Sequence, residues 1–84
     1  MAEPATTPAE ILIDARGFRC PVPTLKLRKA LALAAPGARL RLLADDPMAR
    51  IDVPHFLAEC GDQLVEAAAE GGVLSFLVAK SRPG

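Results

Sequence analysis

Between Ile11 and Ala79 the chain alternates short apolar runs with longer stretches of helical spacing. Ile11-Leu12-Ile13 is a compact apolar run ended by Asp14 and Gly17, which predicts a first strand. From Pro21 to Ala35 good helix formers dominate, and Pro36-Gly37 stops them. Pro23, Leu27, Ala30, Leu31 and Ala34 fall on one face of that helix, while Arg28 and Lys29 point away. Residues 38 to 44 alternate, with Leu40 and Leu42 on one side and Arg39 and Arg41 on the other, a strand with one wet face. Asp46-Pro47 then offers a cap followed by a first-turn proline. Pro54 disfavours helical geometry at Val53, so a short turn over 47–51 and then a helix to Cys60, closed by Gly61, is expected. Residues 64–69 and 73–79 read as two strands joined through Gly71-Gly72.

The resulting order, βαβαββ, predicts an α/β two-layer sandwich with both helices on one sheet face. Residues 1–9 and 81–84 lack periodicity and are expected to be flexible tails around one domain spanning 10–80. Composition narrows the core: with three Phe and no Tyr or Trp, it has to be built from Leu, Val, Ile and Ala. No apolar run approaches the length of a membrane span, and the first residues lack the basic flank and apolar stretch of a signal peptide. A cytoplasmic, reducing setting is the expectation.

Charge changes the picture more. The net charge is zero, yet residues 1–42 carry seven basic and three acidic side chains, and residues 43–84 the reverse, three and seven. Five of the basic residues lie between Arg16 and Lys29. Such a patch suits an acidic protein surface, an anion or a phosphate backbone, though a solvated helix face also explains Lys26, Arg28 and Lys29.

The candidate chemistry is that of sulfur. Cys20 and Cys60 form neither a disulfide framework nor a C-x-x-C pair, and no metal-ligand spacing surrounds them. His55, the only histidine, reads as a surface residue. Cys60 shares the spacing of Val53, Phe56 and Leu57, which predicts a buried, inert thiol. Cys20 stands where a loop turns into a helix, with Gly17 permitting the turn. If Cys20 caps the helix, Pro21 and Pro23 occupy its first and third positions and bring no N–H. Val22 N–H is then the chief donor left for a thiolate, with Cys20's own N–H beside it. Pro23 disfavours helix at Val22, so the cap could equally fall there. Either way the sulfur lies near the positive helix end with Arg16 and Arg19 close in sequence. These features are expected to lower the thiol pKa from about 8.5 to roughly 6–7.5.

At these residues the sequence resembles the TusA/SirA-like sulfur carriers. The matching runs are Asp14-Ala15-Arg16-Gly17-Phe18-Arg19-Cys20-Pro21-Val22-Pro23, Asp45-Asp46-Pro47 and Asp52-Val53-Pro54-His55-Phe56, and the resemblance extends from about Ile11 to Lys80. It implies a four-stranded mixed sheet of order 1-2-4-3 and a Cys20 that accepts sulfane sulfur as a persulfide, with no other cofactor and no metal. In such a site Gly17, Arg19, Pro21, Val22 and Pro23 would present the thiolate. The donors implied are cysteine desulfurases, rhodanese-like or DsrE-like proteins, and the acceptors relays toward tRNA thiolation, molybdenum cofactor or sulfur oxidation. The chemistry implied is a stoichiometric relay rather than turnover of a free substrate, with neither membrane nor direct nucleic-acid binding. Some positions depart from the family: Phe18 replaces a usual Leu, Ile51 a frequent Arg, Asp62 a common His, and Leu57 a second Cys found in many members.

Arg16, Arg19, Lys26 and Arg28 are then candidates for docking the acidic rims of sulfur donors and acceptors. Asp45 and Asp46 are expected to cap the second helix, with Asp45 also a candidate partner contact. The alternative is a small regulatory or RNA/protein-binding module without sulfur transfer, for which the basic stretch is the only support and the scarcity of aromatic residues counts against single-strand recognition. A thioredoxin-like oxidoreductase lacks its resolving cysteine.

Overall fold

Strand β1 (Ile11–Asp14) leads to helix α1 (Val22–Leu33), followed by β2 (Arg39–Ala44), α2 (Ala49–Cys60), β3 (Gln63–Glu70) and β4 (Val73–Ala79). The structure, a computed structural model, describes residues 10–19 and 21–81. The sheet has the order β1-β2-β4-β3, with β1 parallel to β2 and the other neighbours antiparallel. The predicted two-layer sandwich and its mixed four-stranded sheet are therefore what the chain forms.

Because β4 runs against both β2 and β3, strands β1, β2 and β3 all point the same way. The loop entering α1, the loop entering α2 and the Gly71-Gly72 turn thus gather at one pole, and both helices begin there.

The core lies between the helices and one sheet face. Leu40, Leu42 and Ala44 of β2 and Leu74, Phe76 and Val78 of β4 meet Leu27 and Leu31 of α1 and Ala49, Val53 and Leu57 of α2, all buried. On the other face Leu77 is also buried, at 6% exposure, although no helix covers it. Its strand neighbours explain this: Arg41 and Glu66 flank it in register. The Arg41 guanidinium bonds Glu10 at 2.9 Å and Ser75 Oγ at 2.7 Å and lies 3.6 Å from Glu66, so the arginine stem and its ion pairs roof the leucine.

Two helix boundaries differ from the sequence expectation. Helix α1 stops at Leu33 rather than Ala35, with Ala34 already extended. Ala35 precedes Pro36, which disfavours helix there, and Lys80 Nζ donates to the terminal carbonyl of Leu31 at 2.8 Å. Helix α2 runs unbroken from Ala49 through Pro54, where a turn over 47–51 was expected to come first. Proline's fixed φ suits a helix, and what it removes is one donor and some room near the Arg50 carbonyl. Burial of Ala49, Val53 and Leu57 on either side outweighs that local cost.

Candidate functional site

At the pole where the strands end, the β1–α1 loop is fixed residue by residue. Buried Ala15 donates its N–H to the Leu43 carbonyl at 2.8 Å, tying the loop to β2. Asp14 then accepts from Arg16 three times: from the backbone N–H at 3.1 Å, from Nε at 2.9 Å and from Nη2 at 2.8 Å. The Arg16 side-chain bonds, and after them its backbone N–H, hold the Asp14 carboxyl down at about 2 from its ordinary 3.8. A carboxylate depressed in the folded state stabilises the fold above its ordinary pKa, and the contribution disappears as pH falls through the folded value. We therefore expect the Asp14 side-chain carbon to titrate by NMR with a midpoint near 2. A midpoint near 3.8 would mean that the Arg16 pairing does not hold in solution.

Gly17 follows with φ 87°, a left-handed conformation that favours glycine. Its N–H points to the Asp45 carboxylate, 3.0 Å from each oxygen. Phe18 N–H donates to the Ala15 carbonyl at 3.3 Å and Val22 N–H to the Arg19 carbonyl at 2.9 Å. Cys20 itself lies outside the described residues. On one side of it is exposed Arg19; on the other is Pro21, the helix cap, with φ −95° and ψ 12°. The cap thus falls between the two positions the sequence allowed. Pro23, at the second helical position, is buried and pins the helix start to the core. Val22 N–H, expected to serve a thiolate, is already engaged by the Arg19 carbonyl. In the same first turn the Thr24 hydroxyl oxygen is buried without a hydrogen-bond partner.

The loop borders a hollow. Gly17, Phe18 and Arg19 line one side, and Asp45, Asp46, Pro47 and Met48 the other, around about 550 Å³. Phe18 is 45% exposed, and Lys26 Nζ sits 4.7 Å from its ring centroid. Phe18, Leu25, Met48 and Ile51 form the exposed apolar surface of this pole. Of the candidate docking residues, Arg28 is exposed on α1, Lys26 is seated over Phe18, and Arg16 is held by Asp14.

Asp45 needs correcting as a helix cap. Asp46 is not the cap either: Met48 is, and Asp46 shapes the turn before it, its Oδ1 accepting from Met48 N–H and its carbonyl from Ala49 N–H, both at 3.0 Å. Asp45 instead crosses to Gly17, a partner 28 residues away that no local pattern announces. The legible signal would have been topological, since parallel neighbours β1 and β2 bring the residues after their ends side by side.

Cys60 is a second correction. It is exposed at the last position of α2 rather than buried. Helical spacing fixes the direction of a side chain around the axis but not how far along the axis the core extends. The Cys60 Sγ donates to Asp62 Oδ2 at 3.2 Å and approaches the Leu57 carbonyl at 3.7 Å. Partial burial pushes this thiol up, and the Asp62 carboxylate, as acceptor and as charge, adds to the rise. His55 is exposed, 3.5 Å from Glu59 one turn along. Among the described residues no three His, Cys, Asp or Glu side chains group as metal ligands, and no helix is long and apolar enough to cross a membrane.

The family model described as sulfurtransferase TusA matches residues 11–80. The chain belongs to the TusA family. Named relatives cover nearly its whole length. The sulfur carrier protein TusA of Pseudomonas paraeruginosa is 36% identical over 75 residues, which is 89% of this chain and 95% of the relative. That of Allochromatium vinosum is 38% identical over 69 residues, 82% of this chain and 91% of the relative. The crystal structure of a SirA-like protein from Desulfitobacterium hafniense superposes with a TM-score of 0.75 at 30% identity, covering 86% of this chain and 99% of the other. Within the TusA family, then, the pole built from the β1–α1 and β2–α2 loops is where the chain's own Cys-Pro-x-Pro run falls.

Proposed function

We propose that this TusA-family chain is a sulfur carrier in which the Cys20 thiolate takes up sulfane sulfur as a persulfide and passes it to an acceptor protein. The observation that carries this reading is the run Arg19-Cys20-Pro21-Val22-Pro23 at the start of α1, in a chain of this family. The position suits the chemistry. Both helices begin at this pole, so the positive ends of two helix dipoles favour an anion there.

The transfer is an exchange with no net redox change. The Cys20 thiolate attacks the outer sulfur of a donor persulfide, the donor S–S bond breaks as the Cys20 S–S bond forms, and the donor leaves as a thiolate. The acceptor thiolate repeats the step on the Cys20 persulfide. No metal or organic cofactor enters. Donors are desulfurase, rhodanese-like or DsrE-like proteins, acceptors are relay proteins, and a reducing cytoplasm keeps the resting thiol available. Incubation with a rhodanese and thiosulfate should add the mass of one sulfur to the peptide that contains Cys20. Sulfur found only on the peptide of Cys60 would refute the assignment.

Docking draws on the same pole. Exposed Phe18, Leu25, Met48 and Ile51 supply apolar area, and Arg19, Lys26 and Arg28 supply positive charge at its rim. Lys26→Glu with Arg28→Glu should slow transfer from a protein donor about tenfold or more at low ionic strength, with the difference shrinking as salt rises. The fold should survive, because an exposed cation–π contact such as Lys26 on Phe18 contributes only about 0.5–1 kcal/mol. Equal transfer rates at low salt would remove these two residues from the docking surface.

A further inference from the structure

We infer that Asp45 is a positioning residue for the sulfur chemistry, holding the Cys20-bearing loop through the Gly17 N–H; this rests on the reading of Cys20 as the carrier thiol. The carboxylate reaches across from the end of β2 and takes the Gly17 N–H on both oxygens at 3.0 Å. Gly17 is the loop's most permissive residue, with φ 87° and no heavy atom of the described residues within 4 Å of where a Cβ would stand. The described contact that ties this peptide to the neighbouring strand end is the Asp45 hydrogen bond. The residues before it are already fixed, Ala15 by Leu43 and Arg16 by Asp14. The residues after Cys20 are fixed by the buried ring of Pro23. Phe18 N–H closes a turn over Gly17 on the Ala15 carbonyl, and Asp45 pins that turn to the end of β2.

A carboxylate is an unexpected neighbour for a thiolate site, and this makes the inference testable by sign. The charged groups gathered at this pole are Asp14 at the end of β1, Arg16 and Arg19 on the first loop, Asp45 and Asp46 on the second, Lys26 on α1, Arg50 and Asp52 on α2 and Glu70 at the end of β3. If Asp45 acted only through its charge, removing it would favour the thiolate and lower the Cys20 pKa. If it acts by holding the loop, Asp45→Ala loosens the segment that bears Cys20 and the pKa rises toward an ordinary thiol's. Asp45→Asn keeps a carbonyl acceptor for Gly17 and loses only the charge.

The experiment is the pH profile of Cys20 alkylation by iodoacetamide, followed by mass spectrometry of its peptide in the isolated full chain. A small reagent is used so that partner docking has no influence on the readout. Wild type should show a midpoint well below about 8.5, Asp45→Ala a midpoint raised by about one unit, and Asp45→Asn a midpoint at or below wild type. Amide exchange at Gly17 should quicken tenfold or more in Asp45→Ala and not in Asp45→Asn. Should the alanine variant not fold, Asp45→Ser, whose hydroxyl is too short to span to Gly17, takes its place. A depressed wild-type midpoint that stays or falls in Asp45→Ala overturns the positioning role alone. An ordinary wild-type midpoint overturns the reading of Cys20 as an activated thiol and this inference with it.

Discussion

Cys20→Ser should take up no sulfur from a rhodanese charged with thiosulfate, while Cys60→Ser loads to the wild-type extent. Serine keeps the size and polarity of the side chain but offers no sulfur to form an S–S bond, so the loss should be complete. The harder half of the prediction concerns Cys60. It is exposed, so burial does not keep it out of the reaction. Protonation does. An unperturbed thiol is only about a few per cent thiolate at neutral pH. Cys60 lies above even that reference, pushed up by partial burial and by the Asp62 carboxylate that accepts its hydrogen bond. Persulfide exchange requires the thiolate, so Cys60 should load more slowly at pH 7 than an unperturbed thiol and faster as pH rises. Asp62→Asn removes the charge and should let Cys60 load at a lower pH. Equal loading of the two single variants at pH 7 would mean that thiol ionisation does not select the carrier.

The second large effect is on stability. Leu42→Ala should destabilise the fold by about 3–4 kcal/mol, the range for emptying a well-packed core site. Leu42 is fully buried in the central strand β2, between Ile13 of β1 and Phe76 of β4 in register and beneath the helices. A domain of 84 residues has a total stability on the order of 5–10 kcal/mol. The melting temperature should therefore drop by about 15 °C or more. Leu33→Ala provides the control: that side chain is 80% exposed, and its loss should change stability by no more than about 0.5 kcal/mol. Denaturant melts of the two variants check both numbers. Similar midpoints would contradict the packing described.

Much of this was legible in the sequence. Alternation marked Leu40 and Leu42 of β2 and Leu74, Phe76 and Val78 of β4 as inward, because a half-buried strand has a period of two that local composition preserves; it gave the limits of β4 and began β2 one residue early, at Ala38. Spacing picked out Pro23, Leu27 and Leu31 as the buried face of α1 for the corresponding helical reason. The misses share a different cause. Asp45 looked like a helix cap because its neighbours in sequence suggest one, yet its partner Gly17 is set by parallel pairing of β1 and β2. Cys60 looked buried because angle around a helix is readable and distance past the core is not. Val22 N–H looked free because prolines on either side of it have none, and the carbonyl that claims it belongs to a turn. Long-range hydrogen bonds and the ends of elements are where local pattern carries least information.

The shared direction of β1, β2 and β3 also settles what happens at the far end of the molecule. The start of β1 and the end of β4 lie together at the pole away from the Cys20 loop, so Glu10 and Ser81 leave the body on its back. A bead, a fluorophore or a second domain joined at either residue is attached at the pole opposite the Gly17 loop. Whatever is joined at Glu10 or Ser81 therefore starts from the pole opposite the one where both helices begin.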